Sequence, residues 1–398
     1  VQPWGQPENE AIRVFFNSGI ELGSDAELYA YGNYSDSSTN GNFFYRTPVS
    51  SQLQQLREED GSIYDPLLEL YRGGFTPQFF GDIEDYSLAA GIRGEWNNGW
   101  TYDFSGRHGF NEIEYTLKNT MNPSIGPGTP TSFKPGDLSN TETQFQADFT
   151  KEFDMDLASP LLLAVGLSWM DEEYEVYESS DPNSYIAGPY ATSDPWGFCN
   201  DGTATAAGLG VIANGSTLNC ADSDDPVFNV GPVGSNGFPG YSPLFADVYA
   251  RDSYAAYVDV SADVTDQLFL QGAARYEDYE DFGSELVAKV AGRYAFTDTF
   301  AMRGSVGTGF RAPTPGQQGT INVSTRISPE GFPIASGLFP AGGPIAASLG
   351  ASPLKPELST NYTLGATGSF GDLDVTLDFY RIDMEDRMNA VSSQPVST

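Results

Sequence analysis

The stretch Ser253–Val264 reads SYAAYVDVSADV, and every Ser and Asp in it falls on an odd position. Tyr254, Ala256, Val258, Val260, Ala262 and Val264 hold the even positions, while Ser253, Asp259, Ser261 and Asp263 fall on the odd ones. A repeat of two puts alternate side chains on opposite faces of an extended strand. The same alternation sets Leu286, Val290, Tyr294 and Phe296 against Glu285, Lys289 and Arg293. It sets Phe300, Met302, Val306 and Phe310 against Arg303 and Ser305, and Phe145, Ala147, Phe149 and Phe153 against Gln144, Gln146, Asp148 and Glu152. No helical stripe competes over these windows.

Working outward, the pattern predicts twelve strands, near 12–22, 26–34, 83–96, 99–110, 142–153, 161–177, 247–262, 267–279, 285–296, 299–310, 359–370 and 373–386. Short connections (23–25, 97–98, 154–160, 263–266, 297–298, 371–372) alternate with long ones (35–82, 111–141, 178–246, 311–358); 280–284 is the one short member of the second series. Short turns on one rim and long loops on the other are the signature of an antiparallel transmembrane β-barrel. The strand lengths suit a tilted crossing, which needs ~9–11 residues. Trp96, Trp100, Tyr102, Phe110, Tyr276, Tyr294, Phe296, Phe370 and Tyr380 gather near strand ends, as an interfacial girdle would. The apolar face is expected to meet lipid. Arg93, Glu95, Arg107, Arg275, Glu277, Lys289, Arg293 and Arg303 are expected to line a wet lumen. A soluble β-sandwich also alternates, but its inner face is dry and its loops are usually short at both ends.

The 398 residues carry 54 Asp and Glu against 19 Lys and Arg, a net charge of −35. That excludes nucleic acid as a partner, because phosphate binding needs a basic surface. Aromatics at 13% with 44 Gly and 26 Pro fit a sheet-rich protein with long irregular loops, not a disordered chain. No run reaches the ~18 apolar residues of a spanning helix. The chain opens at Val1 without a secretory signal, which reads as a mature, trimmed or partial polypeptide. Cys199 and Cys220 share one polar segment. Free thiols are one reading; a short-range disulfide in an oxidising compartment is the other, and the shared exposed loop favours it.

Chemistry-bearing patterns are sparse. The single histidine, His108, falls on the apolar face of its strand, so catalysis is not expected. Asp222, Asp224 and Asp225 offer hard oxygen ligands suited to calcium, as do Glu277, Asp278, Glu280 and Asp281. Their spacing matches no EF-hand, and solvated loop charge is the plainer reading. No other cofactor is indicated. The long loops are the expected ligand surface, with Tyr64, Tyr71, Tyr190, Trp196 and Phe198 as candidate stacking residues. Packing within the loops is the alternative role for the same rings.

Three segments carry a family resemblance: GFRAPTPGQ (Gly309–Gln317), LKPELSTNYTLGATG (Leu354–Gly368) and VTLDFYRIDMEDR (Val375–Arg387). In order and spacing they resemble the barrel of TonB-dependent outer-membrane receptors of proteobacterial type. The opening QPWGQPENEAIRVFFNSGIEL and the later ELYAYGNYSD and FFYR are similar to that family's early barrel. The resemblance implies a bacterial outer-membrane location and a 22-stranded barrel around an N-terminal plug that contacts TonB. About twelve strands are found in residues 1–398, no plug-like segment precedes residue 12, and the end reads SSQPVST. The expectation is therefore a partial barrel whose TonB contact would come from a plug outside this chain. The motif residues Gly309, Phe310, Arg311, Ala312 and Pro313, and the returning Lys355, Pro356 and Glu357, mark where the chain leaves and re-enters the outer rim. Prolines there end the ladder because they lack a donor. Arg311 is expected to pair at the rim, with Glu357, in preference to holding a ligand. The resemblance implies active uptake of a small-molecule nutrient, a ferric siderophore or an oligosaccharide-like ligand. A barrel-derived structural assembly and a passive porin are the alternatives.

Overall fold

The computed structural model describes residues 7–319, 322–327 and 333–389. The terminal SSQPVST and the first residues of the opening motif lie outside them. Twelve long strands form one antiparallel sheet, each paired with its neighbours in sequence. They are β1 (Glu8–Glu21), β2 (Ala26–Asn42), β3 (Gln78–Glu95), β4 (Trp100–Lys118), β5 (Asp137–Phe153) and β6 (Leu161–Val176). The sheet continues through β7 (Asp247–Thr265), β8 (Leu268–Tyr279), β9 (Gly283–Thr297), β10 (Phe300–Arg311), β11 (Glu357–Phe370) and β12 (Leu373–Glu385). Its path begins at β1 and ends at β12, and among the described residues no pairing joins the two.

The register keeps the alternation in phase from strand to strand. Phe145 sits opposite Trp169, and Trp169 opposite Tyr254. Leu167 and Val290 on this face are 62% and 60% exposed. Buried apolar side chains lie mainly in the loops, among them Leu53, Leu56, Phe75, Met121, Phe133 and Val227. The sheet therefore has a bare apolar outer face, as a lipid-facing wall requires and a sandwich forbids. Among the described residues no helix is long and apolar enough to cross a membrane. On the inner rim the Trp96–Trp100 hairpin turns through Gly99 at φ 78°, a left-handed conformation that favours glycine.

Several strands run further outward than the sequence pattern indicates. β2 continues to Asn42, β3 begins at Gln78, β4 reaches Lys118 and β5 begins at Asp137. Three of the outer loops shorten, to 43–77, 119–136 and 312–356, while the fourth spans 177–246. The reason is physical: Ser35–Asn40 is polar on both faces, so the ladder continues above the membrane where no apolar alternation is needed. Loop 312–356 also holds a two-stranded hairpin, Asn322–Ile327 with Pro333–Leu338, where an irregular segment was expected.

Candidate functional site

The polar face of the sheet is built from paired groups. One cross-strand row reads Arg93, Asp103, Asp148, Gly166, Tyr257 and Arg275. The Tyr29 hydroxyl donates to Asp103 Oδ1 and the Tyr257 hydroxyl to Asp148 Oδ1, each at 2.7 Å. Both phenols reach across a glycine on the intervening strand. A Cβ on Gly91 would meet the Tyr29 hydroxyl, and one on Gly166 would meet the Tyr257 ring. Arg93 pairs with Glu27 at 2.8 Å, Arg107 pairs with Glu142, and Arg303 holds Asp378 at 2.7 Å. Lys289 and Arg293 make no ion pair among the described residues. The result is a wall of carboxylates, phenols and amides, suited to water and polar solutes. Tyr257→Phe should cost about 1 kcal/mol in urea unfolding from detergent, the usual net worth of one hydrogen bond. Gly166→Ala should cost more, because it displaces the ring as well.

The outer loops join into one lobe over this wall. Arg57 of loop 43–77 holds Asp225 of loop 177–246 through two hydrogen bonds, Nε to Oδ1 at 2.9 Å and Nη2 to Oδ2 at 2.8 Å. Their side chains are 1% and 5% exposed. The same guanidinium donates to the Gly61 carbonyl and the Ser216 hydroxyl, and the Trp196 indole donates to the Arg57 carbonyl. The expected disulfide is present: Cys199 and Cys220 are bonded, 21 residues apart. It lies beside a small core of Phe198, Val211, Leu218 and Val227. From loop 119–136, Asn122 Nδ2 donates to the carbonyls of Asn183 and Ile186, each at 2.9 Å.

The five candidate stacking residues divide between buried and half-buried. Tyr64, Tyr190 and Phe198 are buried within the lobe. Tyr64 and Tyr190 pack with Leu56, and burial pushes both phenols up to about 12. Tyr71 and Trp196 are half-buried. The Tyr71 hydroxyl donates to the Thr120 carbonyl at 2.6 Å, and its ring stacks on Phe75.

Asp225, which the sequence offered as a weak calcium candidate and more plainly as solvated loop charge, is buried, and both of its oxygens accept from Arg57. Among the described residues no three or more His, Cys, Asp or Glu side chains gather as a metal would need. Burial works to raise the Asp225 carboxyl, but Arg57 and the backbone N–H groups of Val227 and Asn219 hold it below its ordinary value. A depressed carboxyl contributes stability that is complete above its unfolded value and is lost as pH falls through the folded one. Protease protection of the lobe should therefore hold steady from neutral pH down to about 5 and fall away below about 4. Loss of protection already at pH 6 would contradict this.

Aromatic packing roots the lobe on the polar face. Phe238 of loop 177–246 lies 5.0 Å from Phe79 and 5.6 Å from Tyr115, ring centre to ring centre. A second root is Arg251 on β7, buried beside Glu172 at 2.7 Å and Asp281 at 3.4 Å. It also donates to the Pro313 carbonyl and lies over the Tyr279 ring. Pro313 is fully buried, and the short helix Pro315–Gly319 turns inward, with Gly319 against Tyr249. Arg311 lies 3.6 Å from Glu357, whose other oxygen accepts from the Met388 N–H. Phe310 meets Tyr279 edge-on, Gly309 passes close to Ser359, Pro356 is buried and Lys355 is exposed. His108 stands on the outer face, its Nδ1 2.9 Å from Thr143 Oγ1. The sequence reading missed Arg57 and Arg251. Arg57 sits in QLREED, which reads as solvated charge, and its only local signal is the cation flanked by Leu56.

Residues 14–398 match the family described as TonB dependent receptor-like, beta-barrel. Among solved structures, the FpvAI–pyocin S2 complex aligns with TM-score 0.53 at 16% identity, over 96% of this chain and 43% of that one. FpvA of P. aeruginosa bound to a heterologous pyoverdine aligns with TM-score 0.52 at 16% identity, over 96% and 42%. The siderophore receptor PirA from Acinetobacter baumannii aligns with TM-score 0.48 at 14% identity, over 96% and 52%. The chain thus spans about half the length of these structures, and at such identities the likeness is one of fold. The family of TonB-dependent receptor barrels belongs to the bacterial outer membrane. Strand order, outer-face exposure and the match over residues 14–398 agree: this chain belongs to the TonB-dependent receptors, within their β-barrel.

Proposed function

We propose that this barrel wall serves a receptor that takes a scarce small-molecule nutrient, a ferric siderophore or an oligosaccharide-like ligand, across the outer membrane with energy delivered through TonB. The observation that carries the reading is the single lobe. Three long loops, one of them braced within itself by a disulfide and all of them tied together by a buried ion pair, hydrogen bonds and shared hydrophobic cores, lie over a hydrogen-bonding wall. A passive pore has no use for so heavily cross-tied a roof. On this reading Trp196 and Tyr71, being half-buried, are the loop aromatics closest to a ligand. Tyr64, Tyr190 and Phe198 serve it by holding the lobe in shape. The net charge of −35 disfavours a bare anionic chelate and favours a neutral or shielded one.

The test is uptake by the full receptor, expressed in cells lacking their own. Radiolabelled ferric siderophores and labelled oligosaccharides are offered with TonB present and deleted. Saturable, TonB-dependent entry of one class is expected. Non-saturable entry that ignores TonB would refute the proposal and indicate a porin.

A further inference from the structure

Four phenols meet where the lobe is rooted on the polar face. Tyr174 and Tyr249 are direct cross-strand partners on β6 and β7. Tyr115 on β4 and Tyr241 of loop 177–246 flank Phe238, each with its ring centre 5.6 Å from that ring. Glu114, Glu173 and Glu175 alternate with Tyr115 and Tyr174 and so take the opposite face at this level, which places the cluster above the hydrocarbon. All four tyrosines are half-buried, and among the described residues none of their hydroxyls has a hydrogen-bond partner. The one enclosed polar side-chain atom left unpaired among the described residues is Asn40 Oδ1, so the four hydroxyls stay open to solvent. Burial raises all four phenols above their ordinary value; a charge on Tyr115 or Tyr249 would raise Tyr174 further, and one on Tyr174 or Tyr115 would do the same to Tyr241. At neutral pH each is therefore a neutral group that can both donate and accept.

The rings themselves are already packed. Tyr115 stacks on Phe79 at 4.7 Å between ring centres, and Tyr241 lies against Gly136. The inward helix Pro315–Gly319 lays Gly316 on Tyr174 and Gly319 on Tyr249. A molecule arriving here meets hydroxyls in preference to open ring faces. We propose that these four phenols form a subsite for a neutral polyhydroxylated ligand, an oligosaccharide, at the root of the lobe. Sugar hydroxyls also donate and accept, so each phenol can be matched in either direction. The surroundings disfavour an anionic chelate. Asp137 accepts from the Tyr115 N–H at 3.0 Å, and Asp247 lies two residues from Tyr249 on the same strand face. Arg251, two residues beyond Tyr249, is already paired with Glu172 and Asp281. An anion would enter among carboxylates with that guanidinium taken. The inference rests on the uptake reading above and narrows it to one of its two ligand classes.

The experiment measures equilibrium binding to the purified full receptor in detergent. The probes are neutral hexasaccharides of glucose, xylose, mannose and galactose, with one tricatecholate and one trihydroxamate ferric siderophore beside them. Binding of at least one hexasaccharide is expected. Tyr174→Phe/Tyr249→Phe should weaken it about tenfold, because two hydroxyls are removed while both rings keep their packing. Adding Tyr115→Phe and Tyr241→Phe should weaken it further. Tyr362→Phe, on the outer apolar face, should leave it unchanged. Binding of no hexasaccharide overturns the proposal. So does hexasaccharide binding that the Phe variants leave intact, which would seat the sugar elsewhere, or siderophore binding that they weaken, which would give these phenols the other ligand class. The assay contains no TonB, so it fails separately from the uptake reading: sugar binding lost in the Phe variants, together with entry that ignores TonB, would support the subsite and refute active uptake alone.

Discussion

Arg57→Ala should loosen the outer lobe by about 3–5 kcal/mol, the cost of stranding one partner of a buried ion pair. The guanidinium supplies four hydrogen bonds, two to Asp225 and one each to Gly61 and Ser216. Without it the Asp225 carboxylate stays 95% enclosed with no countercharge. Arg57→Lys should recover little, because an ammonium cannot match a fork of two parallel bonds. Arg57→Met with Asp225→Leu should recover most of the loss, since no charge is then left buried. Amide hydrogen exchange is the readout: faster exchange is expected in 43–77 and 177–246, while the strands keep their protection. Unchanged exchange in both loops would mean that the pair does not hold the lobe. Collapse of the whole sheet would mean that lobe and wall are not separable units.

Leu167→Arg should destabilise the wall by ~2–4 kcal/mol, whereas Ser168→Arg one residue away should change it by less than ~1 kcal/mol. Leu167 lies on the exposed apolar face, and a guanidinium there enters hydrocarbon. Ser168 points to the other face, beside Gln146 and near the carboxylate of Asp148. The contrast isolates the environment from strand propensity, because both changes insert the same residue into the middle of β6. Urea unfolding in lipid vesicles measures it. Equal costs at the two positions would mean that the two faces see the same medium, and the membrane reading would fail.

The legible parts of the fold are those where one side chain in two has to be apolar. Leu286, Val290 and Tyr294 could be assigned to a lipid face from the sequence because the charged Glu285, Lys289 and Arg293 all fall on the intervening positions. The outer extension of β2 was hidden for the opposite reason: Ser35–Asn40 is polar at every position, so no alternation marks it, and pairing keeps it extended. The lobe was only partly legible. The shared polar segment pointed to the bond between Cys199 and Cys220. Arg57 and Asp225 carry no local mark of being partners, since they meet only when the strands between them are in place. The loop aromatics show the same limit. Tyr64 and Tyr190 look alike as exposed ligand rings or as core until the fold sets them against Leu56.

Arg57 and Asp225 stand 168 residues apart along the chain. Closing so long a span in a free polypeptide is entropically unfavourable, and contacts of this kind form late. Hydrogen-bonding of β3 through β6 shortens that journey to the width of a few strands. The roof therefore works as a completion check on maturation: it locks only after the staves beneath it stand in order, and a barrel with one strand misthreaded would be left with an unlocked, protease-sensitive crown.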